Sequence, residues 1–160
     1  MEFAQIAEAV VRGIPEAKSE IPAKGEPFVV LPAARLASSA AFLRDDRALS
    51  FGYLNSLSGV DFPDRNQIEL VYHVTSLTHG HMLAFKVLLD RAAPSVLTVE
   101  GVWPAANWHE RECWDLFGVR FEGHSDPRRI LLPDDWEGHP LRKDYKTQEY
   151  WHGIKVETDH

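Results

Sequence analysis

The sequence predicts an α+β fold: an antiparallel sheet packed with helices, followed by an extended irregular C-terminal segment. Three observations predict it. Residues 67–77 and 82–91 each repeat large apolar side chains at every second position around the turn Thr78-His79-Gly80-His81, the pattern of an antiparallel hairpin. Residues 2–13, 33–45 and 104–117 instead repeat their apolar residues at helical spacing. Beyond Gly118 both patterns stop, and the last 42 residues hold only seven Ile, Leu or Val, too few for a second core. The expected organisation is therefore a core domain over 1–118 and a partner-binding segment over 119–160.

The elements follow in order. Phe3, Ile6, Ala7, Val10 and Val11 line one side of the first helix, which Gly13 stops. Pro15, Pro22, Gly25 and Pro27 make 14–27 a loop. Phe28–Leu31 is a short apolar strand closed by Pro32, and Leu36, Ala40 and Leu43 share a side of the second helix. Residues 53–62 form a strand that ends in the turn Pro63-Asp64-Arg65-Asn66. Ile68, Leu70, Tyr72 and Val74 then share one face of a strand, and Leu83, Phe85, Val87 and Leu89 share a face of the next. Pro94 breaks the hairpin, Ser95–Val99 is a further strand, and a helix from Pro104 or Asn107 runs to Gly118.

Composition excludes several classes. The 160 residues suit one domain, since compact domains cluster near about 100–150 residues. A net charge of −7 argues against neutralising nucleic-acid phosphates. The single cysteine, Cys113, excludes an internal disulfide or a four-thiolate metal site. No apolar run approaches the roughly 20 residues of a membrane span and no signal peptide opens the chain, so a soluble chain of a reducing compartment is expected.

The helix at 107–118 carries the chemistry. At about 100° per residue, Cys113, Trp114, Leu116 and Phe117 share an apolar arc, with Trp108, Arg111 and Asp115 opposite. Glu110 and His109 fall inside the arc, where a carboxylate needs partners or a shifted pKa. With Asn107 as N-cap, Glu110 takes the back-bonding position of a capping box, a structural role favoured over a catalytic acid. Arg111 and Asp115, four residues apart, pair on the outer face. Glu112 sits at the edge of the arc, open to a partner surface. His109 and Cys113 have the spacing of two helical metal ligands, with Glu110 as a third donor. A small metal-dependent enzyme built on His109, Glu110 and Cys113 is the remote alternative; a lone buried Cys is more often a small hydrophobe. His79 and His81 flank a turn and read as surface residues.

The tail differs in kind from the rest. All five tryptophans lie at or beyond position 103, and the last 60 residues carry 20 charged side chains against 21 in the first 100. Arg128-Arg129 and Arg142-Lys143 stand among Asp126, Asp134, Asp135 and Asp144, which suggests salt-bridge networks within the chain or with another protein. Arg and Trp are enriched at interfaces, so an ordered, core-poor tail loaded with both is expected to dock on a partner.

Glu110, Arg111, Glu112, Asp115, Leu116, Phe117, His124, Arg128, Ile130 and Leu131, followed by LPDDWEGHPLRKDY over 132–145, resemble the C subunit of the proton-pumping NADH:quinone oxidoreductase, respiratory complex I. YLNSLSGVDF, VYHVTSL and PSVLTVEGVWPAANWHERE also look like the family, so the resemblance covers most of 28–145. Cys113 stands where the family leads one to expect a plain apolar residue.

The resemblance implies an α+β domain with an antiparallel sheet and an extended C-terminal segment. It implies a peripheral, non-catalytic subunit in the hydrophilic arm, on the cytoplasmic side of the bacterial cell membrane. The D subunit, which is hydrogenase-like, and the iron–sulfur subunits B and I are the implied partners. The chain itself would hold no cofactor. FMN, iron–sulfur clusters and quinone would lie in other subunits, where electrons pass from NADH to the quinone, coupled to proton translocation. Its signature and expected interface residues are Glu110, Arg111, Glu112, Asp115, Phe117, Gly118, His124, Arg128, Arg129, Trp136, His139, Arg142, Lys143 and Asp144. The alternative is the homologous subunit of a membrane-bound hydrogenase or formate-hydrogenlyase-type complex. There the domain is often fused to a large subunit, and ending at 160 without such a fusion favours complex I.

Overall fold

In the first helix, α1 (Phe3–Gly13), the N–H of Glu2 donates to Gln5 Oε1 and Ile6, Ala7, Ala9 and Val10 turn inward. The coordinates are a computed structural model and describe residues 1–156. Two short strands follow, β1 (Lys18–Glu20) and β2 (Phe28–Leu31). The 3₁₀ turn Ala33–Arg35 leads into α2 (Leu36–Asp45). Then come β3 (Tyr53–Phe62), β4 (Gln67–Thr75) and β5 (Met82–Asp90). The chain continues through β6 (Ser95–Leu97), α3 (Ala106–Phe117) and β7 (Arg120–Glu122), and ends in a small hairpin of β8 (Tyr150–Trp151) and β9 (Ile154–Lys155).

The main sheet is open, in the order β1-β2-β5-β4-β3, and every pairing in it is antiparallel except β2 with β5. The β4–β5 register sets Ile68 opposite Leu89, Leu70 opposite Val87, Tyr72 opposite Phe85 and Val74 opposite Leu83, so one face is continuously apolar. That face forms a single core with Ile6 and Val10 of α1, Leu36, Ala40 and Leu43 of α2, and Cys113 and Phe117 of α3. Tyr72 and Phe85 stack with centroids 4.6 Å apart, and Trp103 closes the core by donating its indole N–H to the Phe51 carbonyl at 2.8 Å.

Several expectations change here. The loop at 14–27 contains β1, an exposed edge strand too short and polar to show a period. The strand at 67–77 ends at Thr75, because the Ser76 N–H bonds the His81 carbonyl and closes the turn. His81 is buried, not superficial: the loop after α2 folds over the hairpin turn, and the His81 Nε2–H donates to the Leu49 carbonyl at 2.8 Å. His79 is exposed, with its Nε2–H donating to the Arg47 carbonyl at 2.9 Å. Ser95–Leu97 pairs in parallel with β7, across the boundary expected at 118.

Candidate functional site

The signature residues converge on α3 and the seam between it and the segment that follows. One side of α3 lies on β3 at Gly59, where an added Cβ would stand 2.7 Å from Phe117 Cδ2. Absence of a side chain there lets helix and strand approach. The opposite side of the helix is covered by residues 120–142.

The capping box does not form. Helix α3 starts one residue before Asn107, with Ala105 as an N-cap that offers no side-chain bond. Asn107 instead donates its amide to Glu100 Oε2 at 2.7 Å. Glu110 is fully buried, and its carboxylate accepts the Val99 N–H at 2.8 Å and the Thr98 hydroxyl. Burial pushes its carboxyl up to about 7, against the pull of those two donors. His124 accepts the Asp126 N–H on Nδ1 and donates from Nε2 to the Asn107 carbonyl, each at 3.0 Å, so both ring nitrogens are committed. Glu100 bridges α3 to the tail by accepting the Ser125 N–H at 2.8 Å.

Arg111 and Asp115 do not pair with each other on an outer face; both are buried, because the tail covers that face. Asp115 Oδ2 accepts the N–H groups of Ile130, Leu131 and Leu132 at 3.1, 2.8 and 3.0 Å, and Oδ1 accepts Arg129 Nη1 at 2.6 Å. Three successive N–H groups make a concave cradle for an anion. Burial alone would raise the Asp115 carboxyl; these donors together hold it below the usual carboxylate range. Arg129 also donates to the carbonyls of Trp136 and Gly138 at 3.0 and 3.1 Å. Arg111 donates to the carbonyls of Arg128 and Arg129 at 3.0 and 3.2 Å and lies 3.4 Å from Asp126.

The helix C-terminus is held in the same way. Gly118 takes a left-handed conformation with φ 75°, and its carbonyl-rich end is capped by side chains arriving from the tail. His139 Nδ1–H donates to the Asp115 carbonyl at 3.0 Å, and Arg142 Nε to the Phe117 carbonyl at 2.7 Å. Farther out, Asp61 accepts Arg91 Nε at 2.6 Å and the Lys143 N–H at 2.8 Å, while Arg91 also pairs with Asp144 at 2.7 Å. Trp136 donates its indole N–H to the Tyr145 hydroxyl at 3.1 Å. Arg128 is exposed and pairs with Asp126 at 2.6 Å; Glu112 is exposed.

Sequence reasoning missed Asp61, Arg91, Thr98, Glu100 and Ser125. None of them left a signal in the sequence: Asp61 is turned inward only after the register shift between Leu54 and Ser56, which breaks the alternation of its strand.

The arrangement can clamp one segment of chain to another. Among the described residues, His109, Glu110 and Cys113 are not brought together as ligands, and no group of three or more His, Cys, Asp or Glu is placed to hold a metal ion. Burial pushes the Cys113 thiol up to about 12, so it stays neutral and packs as a hydrophobe.

Comparison with known proteins places this architecture. A family profile described as the respiratory-chain NADH dehydrogenase 30 kDa subunit matches residues 29–151. The C subunit of the NADH-quinone oxidoreductase of Chlorobium phaeobacteroides is 50% identical over 130 residues, covering 81% of this chain and 78% of that protein. Its counterpart in Chloroherpeton thalassium is 52% identical over 118 residues, 73% of this chain but 49% of that longer protein. Among solved structures, a chain of an archaeal membrane-bound sulfane sulfur reductase superposes with a TM-score of 0.75 at 26% identity, covering 89% of this chain and 85% of its own. A trypsin-resistant fragment of Nqo5 superposes with a TM-score of 0.65 at 30% identity, covering 79% of this chain and 99% of the fragment.

Proposed function

The chain belongs to the family of the respiratory-chain NADH dehydrogenase 30 kDa subunit, and from that premise we propose that it is a non-catalytic accessory subunit in the hydrophilic arm of a complex I-type assembly. The observation that carries this reading is the family match itself, which spans both the sheet and the tail. The seam agrees with it. The buried charged groups Glu110, Arg111 and Asp115 are engaged by other groups of the same chain, as a scaffold requires.

In this reading, electrons pass from NADH through FMN and iron–sulfur clusters to a quinone in other subunits, coupled to proton translocation. The proposed partners are the hydrogenase-like D subunit and the iron–sulfur subunits B and I. Among the described residues no helix is long and apolar enough to cross a membrane, which supports a peripheral subunit that reaches the membrane through its partners. We place it on the cytoplasmic side of the cell membrane.

The likeness to a chain of a membrane-bound sulfane sulfur reductase keeps a second reading in view, the homologous subunit of another membrane-bound respiratory complex, as a membrane-bound hydrogenase or formate-hydrogenlyase-type complex would be. The quinone-linked reading is preferred because relatives at 50% and 52% identity are NADH-quinone oxidoreductase subunits, against 26% for the reductase chain. Affinity purification of the full chain from its native membrane, with identification of the co-purifying subunits, tests both. The hydrogenase-like D subunit and the iron–sulfur subunits B and I are expected, together with a flavin-bearing subunit. A hydrogenase-type large subunit without that flavoprotein would shift the assignment to the second reading, and recovery of the chain alone would defeat both.

A further inference from the structure

The buried and half-buried arginines of the seam follow one pattern, and Arg142 departs from it. Arg129 donates to two carbonyls of the tail and also holds Asp115. Arg111 donates to two carbonyls and holds Asp126. Arg91 holds both Asp61 and Asp144. Arg142 likewise donates to two carbonyls, those of Phe117 and Arg91, at 2.7 and 3.3 Å. Yet among the described residues it has no ion pair. It is a positioned guanidinium, partly withdrawn from water, and the acid nearest to it in effect, Asp61, is already taken by Arg91 and the Lys143 N–H.

Arg142 lines an open cleft of about 410 Å³ beside β6 and β7, together with Pro94, Ser95, Gly118, Arg120 and His139. Among the described residues no Asp or Glu lines it. Arg120 is the second cation there; its side chain is 74% exposed and its one ion pair, to Glu122, is long at 3.9 Å. Glu122 is itself engaged by the Ser95 hydroxyl at 2.6 Å. Arg142 spends Nε and Nη2 on the Phe117 and Arg91 carbonyls, and its Nη1, without a bond among the described residues, is the donor left for a carboxylate.

We infer that the cleft between Arg120 and Arg142 receives an Asp or Glu side chain of a neighbouring subunit, which supplies a carboxylate that none of the described residues places there. The inference rests on the accessory-subunit reading, because the acid must come from a partner. It deepens that reading by naming the surface and the chemistry of the contact. Arg120 is the residue to change, since Arg142 also holds the helix C-terminus and its loss would disturb the fold.

The test uses the full chain in the membrane-derived assembly. Arg120→Lys introduces a primary amine into the cleft, and a zero-length carbodiimide then links that amine to any carboxylate seated beside it. The expected product joins position 120 to an Asp or Glu of another subunit, identified by peptide mass spectrometry. Arg120→Glu should lower the yield of co-purifying subunits about tenfold, while Arg12→Glu, at another exposed position, leaves it unchanged. A cross-link to Glu122 alone, or an Arg120→Glu chain that assembles at the unmodified yield, overturns the inference while the accessory-subunit reading stands. If the unmodified chain brings down no other subunit, both fall.

Discussion

Glu110 and Asp115 lie five positions apart on one helix, are both fully buried, and titrate in opposite directions. Burial dominates at Glu110, whose carboxyl is pushed up from 4.5 to about 7 with Thr98, Val99, His124 and Glu100 around it. A folded-state pKa above the unfolded one means that the folded chain holds the extra proton between those values. Stability is therefore expected to fall as pH rises from about 4.5 to about 7, by at most about 3 kcal/mol, and to level off above. Glu110→Gln should flatten that limb, which denaturant titrations at several pH values from 5 to 8 would show. Equal slopes in the two proteins would refute the assignment. At Asp115 the donors win, so its contribution is present above the ordinary carboxylate pKa and is lost as pH falls through the lowered folded value. Asp115→Asn strands Arg129 without its carboxylate and should cost about 3–5 kcal/mol, read from the denaturation midpoint at pH 7.

Helix α3 is an element buried from two sides, and two glycines set its distances. Gly59→Ala would drive a methyl group against Phe117 and is expected to cost about 1–3 kcal/mol by overpacking the β3–α3 contact. Gly118→Ala combines a left-handed backbone with a Cβ 2.7 Å from the His139 ring. That change is expected to cost about 1–2 kcal/mol in the backbone alone and to push His139 off the helix end. Limited trypsin digestion would report the second effect: cleavage at Arg128, Arg129, Arg142 and Lys143 should accelerate in Gly118→Ala and stay slow in Gly59→Ala. Thermal melts would place both below the unmodified chain. Digestion of Gly118→Ala at the unmodified rate would mean that His139 and its neighbours do not hold the tail.

For the whole molecule, the question is where the fold ends. Val119 and Phe121 are core residues, and β7 completes a pair with β6. Ending the chain after Gly118 removes all three and is expected to abolish cooperative melting, since loss of one buried Phe side chain alone costs about 3–5 kcal/mol. Ending it after Lys146 keeps the seam contacts of Asp115, Arg129, His139, Arg142 and Asp144. That shorter chain should melt close to the full one by circular dichroism. The tail's arginines and histidines thus serve the chain's own helix first, and the cleft at Arg120 and Arg142 is where they turn outward.

Features that depend on residues near one another along the chain are legible in the amino-acid order alone. The period of two at 67–75 and 82–90 reported a half-buried hairpin, and the helical repeats reported α1, α2 and α3, because side-chain direction follows backbone period. The signature residues and their family were also legible, since they form one nearly continuous run. The remaining features depend on contacts between distant segments. Strands β1 and β7 have three residues each, too few for a period to show. The parallel meeting of β2 with β5 depends on segments more than 50 positions apart. Local spacing offered Arg111 and Asp115 to each other, but each found a better partner in the tail, 14 to 18 positions onward. The reason is physical: an exposed pair four residues apart contributes a few tenths of a kcal/mol. A carboxylate and a guanidinium buried under a folded segment must instead satisfy every donor and acceptor they carry, and where that segment lies is set by packing across the whole chain.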